Sequence, residues 1–245
     1  MNTVLNKRAV AKSKSARSAT NKHAPGSKGG GEDSKPNLRQ LEAAASRDDI
    51  LRVAIEEFAE HGLSGARVDV IAERMQTSKR MIYYYFGSKD GLYIEVLEKL
   101  YAGIRKSERS ITTDHLPPKE ALRVYVESTY DYHMANPRVG RMIGIENINK
   151  ARFIKQSKII QSANSVVIEM LSKLIRRGVA TKEFRPTLLA IDLFYLISAL
   201  CVYRVANRET FNAIFDLDFA SPAVARRHKR LVVETIMSFV SSANA

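Results

Sequence analysis

From Ser46 onward the apolar residues of this chain recur with a helical period, and no convincing alternation of period two appears. That pattern excludes sheet-based folds and predicts an all-α protein. Ser46-Arg47-Asp48-Asp49 reads as a capping signal, with a side-chain oxygen to accept an orphan amide and an acid near the positive end of the dipole. Behind it Ile50, Leu51, Ala54, Ile55, Phe58 and Ala59 fall on one face, and His61-Gly62 supplies a glycine stop. Further on, Pro118, Pro137, Pro186 and Pro222 mark first helical positions, where the missing N–H costs nothing. Arg176-Arg177-Gly178 places cations and then glycine at a helix end. The spacing predicts roughly nine or ten helices, the long ones covering about 88–108, 118–135, 151–178, 186–207 and 222–241.

Two short helices stand out between 67 and 86. The segment RVDVIAERMQTSKRMIYYYFGSKDGL fits a helix over Val68–Met75, a tight turn at Gln76-Thr77 and a second helix over Ser78–Tyr85. Ala72 is small, as a close helix crossing requires, and Ser78 is a good N-cap. At 100° per residue Ile82 and Phe86 point inward. Arg80 and Tyr84 take the opposite face, with Met81 beside them and Lys79 and Tyr83 on the flanks. Such a helix suits a DNA major groove. Arginine pairs bidentately with guanine, an apolar side chain meets a thymine methyl, and tyrosine reaches phosphates. Lys89 is placed for a further phosphate. A basic, solvated helix face with packing tyrosines is the competing reading of the wheel alone.

Charge points the same way, but weakly. The net charge is +13, and residues 1–40 carry nine Lys/Arg against Glu32 and Asp33, so +7 lies there and +6 in the rest. Residues 1–45 hold Gly29-Gly30-Gly31 and almost no large apolar residue, and are expected to be a disordered basic arm that adds salt-sensitive DNA attraction. Their basic, Ser-rich composition also resembles a transit peptide. No secretory signal is expected, because the first residues lack an apolar core. The apolar run around Leu188–Val202 contains Asp192 and falls short of a membrane span. Cys201, the only cysteine, lies in an apolar run and is expected to be a reduced packing residue rather than a redox sensor.

Residues 46–100 resemble the N-terminal domain of the TetR family of one-component regulators. The resemblance rests on Phe58-Ala59-Glu60-His61-Gly62, Val68-x-x-Ile71-Ala72, Ser78-Lys79 and Tyr83-x-x-Phe86-x-Ser88-Lys89-x-x-Leu92. It implies DNA contacts at Arg67, Ser78, Lys79, Arg80, Met81, Tyr83, Tyr84 and Lys89. Two positions depart from the pattern. Arg67 stands where a threonine is usual, so a capping oxygen is lost and a cation gained. Gln76 stands where glycine is usual, at a left-handed position that costs a non-glycine residue about 1 kcal/mol. The implied architecture is a helix-turn-helix domain over 46–92, joined by a long helix to a helical effector-binding and dimerisation domain over 93–245.

The second half has no motif as sharp. The helix expected over 186–207 is apolar nearly all round, and the last one carries Leu231, Val232, Thr235, Ile236, Phe239 and Val240. Two such helices can pair with their copies in a homodimer or simply close the core; the resemblance implies the dimer. It also implies an effector pocket, for which Tyr132, His133, Met142, Asn147, Arg152, Asn164 and Tyr195 are candidates. Amides and a guanidinium beside apolar residues in Ile145–Phe153 suggest an aromatic or heteroaromatic acid as effector. The five histidines show no metal-ligand spacing, and no cofactor motif, phosphate loop, nucleophile elbow or zinc motif appears, which leaves little room for an enzyme. The expected function is a cytoplasmic, nucleoid-associated bacterial repressor, released from a palindromic operator in double-stranded DNA by a small molecule. The alternative is a nonspecific DNA-coating protein driven by the basic arm.

Overall fold

The computed structural model describes residues 38–111 and 113–241, with side chains from Arg47 onward. Residues 1–37, most of the expected basic arm, lie outside the described residues. The described residues form ten α-helices and one 3-10 turn, and no strand. The helices are α1 (Leu38–Gly65), α2 (Val68–Arg74), α3 (Lys79–Phe86), α4 (Lys89–Arg109) and α5 (Pro118–Ala135). After them come α6 (Pro137–Ile148), the turn η1 (Ile154–Gln156), α7 (Lys158–Ala180), α8 (Ala190–Ala206), α9 (Arg208–Phe215) and α10 (Pro222–Val240).

Pro118, Pro137 and Pro222 do open helices, and Gly62 breaks α1 with a left-handed φ of 66°. Three expected boundaries are corrected. The first helix begins at Leu38 rather than at Ser46, so residues 38–45 are helical and not part of a disordered arm. Their sequence, Leu-Arg-Gln-Leu-Glu-Ala-Ala-Ala, consists of strong helix formers, and propensity overrides the capping signal that follows.

The helix expected from 151 begins at Lys158. Lys150 and Ala151 both take left-handed φ, at 56° and 55°, so the chain reverses after α6. The buried Glu146 carboxylate accepts the Phe153 and Ile154 amides, and Ser157 then caps α7 by accepting from Ile160 N at 3.2 Å. Pro186 opens no helix. Phe184 is buried against Gly178 and bridges to Ser241, while Arg185 N donates to the Val240 carbonyl at 2.9 Å. Those ties hold the segment out of helix, with a turn at Pro186-Thr187, until α8 starts at Ala190.

Two apolar cores result. The first gathers Ile50, Ala54 and Phe58 of α1, Ile71 and Ala72 of α2, Ile82 and Phe86 of α3, and Leu92, Tyr93, Val96 and Leu97 of α4. Met142 and Phe153 close it from the α6 side. Phe58 and Phe153 each meet the Tyr93 ring edge to face at 5.0 Å. The core therefore runs past the expected boundary at 92, into the first half of α4 and across to α6. The second core joins α5, α7, α8 and α10 through Leu122, Val126, Leu171, Leu193, Ile197, Val232 and Ile236. Cys201 belongs to it at 1% exposure, and burial pushes its thiol up to about 12, so it packs rather than reacts. No single helix among the described residues is long and apolar enough to cross a membrane.

Candidate nucleic-acid interface

The helix-turn-helix forms where the periodicity placed it. Ile71 and Ala72 of α2 are buried, and Ile82 and Phe86 anchor α3 with the same face. Arg47 supports them from α1, its guanidinium 5.2 Å over the Phe86 ring and ion-paired with Glu95. The turn contains the expected non-glycine strain, with Gln76 at φ 49°. Thr77 N reaches back to the Ala72 carbonyl at 3.0 Å, which fixes the angle between the two helices. Ser78 caps α3 by accepting from Met81 N at 3.2 Å.

With two apolar residues locked inward, the other face of α3 is open. Lys79, Arg80, Met81, Tyr83 and Tyr84 are all exposed, Tyr84 at 79%. Arg67 precedes α2 without capping it, as its side chain dictates. Its backbone N–H donates at 2.9 Å to Glu57, a buried carboxylate of α1. Lys89 opens α4 and reaches the Ser64 carbonyl at 3.4 Å. All eight residues expected at DNA thus lie on α3 or at the helix ends beside it.

One partner was missed. Asp69, in the first turn of α2, pairs with Lys79 at 3.1 Å and with Arg67 at 3.2 Å. The Lys79 ammonium above all, and then its backbone and Arg67 hydrogen bonds, hold its carboxyl down at about 2. A carboxylate therefore sits between two of the cations facing outward. The sequence signal was an acid two residues after Arg67, which reads equally well as a helix-dipole residue.

The expected effector residues do not converge. Met142 is buried in the first core. Asn147 is exposed and bonds back to the Ile143 carbonyl, and Asn164 does the same to Ile160. Arg152 is exposed and lies 3.9 Å from Asp90, and Tyr195 stands 71% exposed on α8. Asn147 and Arg152 thus build no carboxylate site. Only Tyr132 and His133 meet, edge to face at 5.7 Å, on a small cavity beside Glu108.

Around that pair lies a buried polar cluster between α4, α5 and α7. Arg105 and Glu108 form an ion pair at 2.6 Å, each 6% exposed, and Tyr125 donates to Glu108 at 3.2 Å. The pair is close but poorly aligned, and Arg105 Nε and His133 Nδ1 find no partner among the described residues. Burial raises the Glu108 carboxyl against the opposing pull of Arg105. Burial, and then the Arg105 charge, press the His133 imidazole down to about 4. A larger cavity of about 220 Å³ adjoins the cluster at Tyr125, walled by Ile111, Met170, Lys173 and Arg177.

The family model for bacterial regulatory proteins of the tetR family matches residues 50–96, and that for the tetracyclin repressor-like C-terminal domain matches residues 118–236. The HTH-type transcriptional repressor NicS of Pseudomonas putida is 31% identical over 186 residues, which cover 76% of this chain and 88% of NicS. The HTH-type transcriptional regulator RutR of Escherichia coli K12 is 33% identical over 151 residues, 60% of this chain and 68% of RutR. Among solved structures, a transcriptional regulator of Streptomyces coelicolor superposes with a TM-score of 0.61 at 26% identity, covering 80% of this chain and 98% of its own. The chain therefore belongs to the TetR family of bacterial transcriptional regulators, DNA-binding helix-turn-helix proteins and not enzymes.

Proposed function

We propose that this chain is a repressor that binds a palindromic operator as a homodimer and is released by a small-molecule effector. The observation that carries the reading is the single helix α4. Its first half packs in the core that positions α3, and its last turn carries the buried Arg105–Glu108 pair between α5 and α7. A ligand that separates α5 and α7 there must move α4, and α4 cannot move without moving the reading head. Arg80, Met81 and Tyr84 read base edges, while Arg67, Ser78, Lys79, Tyr83 and Lys89 hold phosphates. The dimer face is the exposed apolar surface of α8 and α10. Ile191 and Tyr195 of α8 and Leu231 of α10 are 55%, 71% and 57% exposed in one protomer, and large exposed apolar patches mark interaction sites.

The test is fluorescence anisotropy on DNA upstream of the chain's own coding region and its neighbours, at near-physiological salt. A two-half-site sequence, with centres about 34 Å apart, should bind at least about a thousandfold more tightly than random DNA. Titration of fractionated metabolites should then lower that affinity. Equal affinity for random DNA at this salt rejects the reading.

A further inference from the structure

A third cavity, of about 410 Å³, lies between the C-terminal half of α8, α9 and the start of α10. It falls within the range of small-molecule pockets. Its walls are Leu200, Tyr203, Phe211 and Phe219, with Arg204 and His228 as the polar groups. Phe211 stands 5.2 Å from Phe219 and 6.0 Å from Tyr203, both edge to face, so the walls offer ring faces and edges.

Arg204 is the unusual member. It is 5% exposed, and no carboxylate among the described residues pairs with it. Its donors go to the Phe219 carbonyl and the Met134 sulfur, and its guanidinium lies over Tyr130 at 5.8 Å and Phe219 at 5.7 Å. All of these are neutral. Its Nε finds no partner, and neither does Nδ1 of His228, whose ring lies 5.8 Å from Tyr130. Asp131 pairs with Lys229 at 2.7 Å and Glu209 with Arg208 at 2.7 Å, while Asp218, next to Phe219 in the chain, accepts the Ala220 amide at 2.8 Å.

A buried guanidinium without a counter-charge is costly, and ring faces and neutral acceptors offset only part of that cost. An anion in the cavity supplies the missing counter-charge and offers the guanidinium a fork of parallel acceptors, the geometry in which arginine binds carboxylates most strongly. The aromatic walls specify the rest of the ligand. We propose that this cavity binds a small aromatic carboxylate, its ring against the wall formed by Tyr203, Phe211 and Phe219 and its carboxylate on Arg204, with His228 as a second donor. The site does not depend on an effector binding between α4, α5 and α7. On the α8 wheel Leu200 lies about 180° from Ile191, whereas Ala199 lies only about 40° from Tyr195, so the cavity opens at the edge of the proposed dimer face and runs inward from it.

Isothermal titration of the full-length protein with benzoate and 1-naphthaleneacetate, and with the corresponding amides, tests the site. The acids should bind about tenfold or more tightly than their amides. Arg204→Met, which keeps bulk and removes charge, should abolish that preference. Ala199→Phe, at the exposed rim, should fill the mouth and weaken both acids by about tenfold without touching the buried charge. Should Arg204→Met fail to fold, Ala199→Phe carries the test alone. Lys173→Ala, on the central cavity, should leave binding unchanged, which separates this site from the proposed effector cleft. No binding of either acid at about 10 mM, equal affinity for acid and amide, or indifference to Ala199→Phe overturns the proposal.

Discussion

Acid should weaken this fold through one histidine before it acts through the carboxylates. His133 is 6% exposed, and its imidazole is pressed from its ordinary 6.5 to about 4 by burial and by Arg105. The unfolded chain therefore binds a proton that the folded chain refuses, and stability falls as pH drops from about 6.5 toward 4. At 1.36 kcal/mol per unit, linkage gives a loss of about 2 kcal/mol by pH 5 and about 3 kcal/mol by pH 4. Glu108 acts in the opposite direction. Its carboxyl is raised by burial, so the folded state accepts a proton first and acid favours the fold through it. The whole-protein curve mixes the two, and the difference between wild type and His133→Gln isolates the histidine. The assay is guanidinium unfolding at half-unit steps from pH 7.5 to 4. The wild type should lose stability relative to the glutamine variant by the amounts above, with no difference in slope above pH 7. A difference constant to within about 0.5 kcal/mol across that range refutes the reasoning. So does an NMR titration that finds His133 charging near 6.5.

Five other substitutions separate the roles assigned above. Arg80→Ala should cost about 1–3 kcal/mol on the operator and almost nothing on random DNA, whereas Lys89→Ala should weaken both alike and lower the salt slope by about one; both are read by anisotropy. Asp69→Asn should tighten binding to every sequence, because no carboxylate then competes with phosphate for Lys79 and Arg67. Arg105→Met should lower stability by about 3–5 kcal/mol by stranding Glu108, and the double variant with Glu108→Leu should recover most of it in thermal unfolding. Ser78→Ala should cost about 1 kcal/mol in the same assay, through the lost cap on Met81 N.

The reading head was legible because each of its parts has a local cause. Ile82 and Phe86 share a helix face whatever the rest of the chain does, and Ser78 caps the helix that follows it. The left-handed Gln76, expected because the resembling family has glycine at that turn position, is found at φ 49°. The effector residues failed for the converse reason. Asn147 and Arg152 are near each other in sequence, but the left-handed Lys150 and Ala151 turn the chain between them, and each ends at the surface with its own neighbour. Convergence of side chains from different helices has no period and leaves no mark in one sequence.

The buried charges that were missed do share a mark, however. Each continues an apolar stripe. Glu57 follows Ile50 and Ala54, Arg105 and Glu108 follow Leu97, Tyr101 and Ile104, Glu146 follows Val139 and Met142, and Arg204 follows Leu193, Ile197 and Cys201. A charge on such a stripe must be buried, so it must be answered, and the answers differ. Glu57 takes the Arg67 amide, with the His61 imidazole 3.9 Å away. Glu146 takes two amides and thereby sets the turn before α7. Arg105 and Glu108 answer each other across one helical turn. Arg204 receives only a carbonyl, a sulfur and two ring faces, none of them negative. Three of the four sites solve a folding problem with the chain's own atoms. The fourth leaves a positive charge unneutralised beside an aromatic-walled cavity, which is the physical reason to look for the missing anion there.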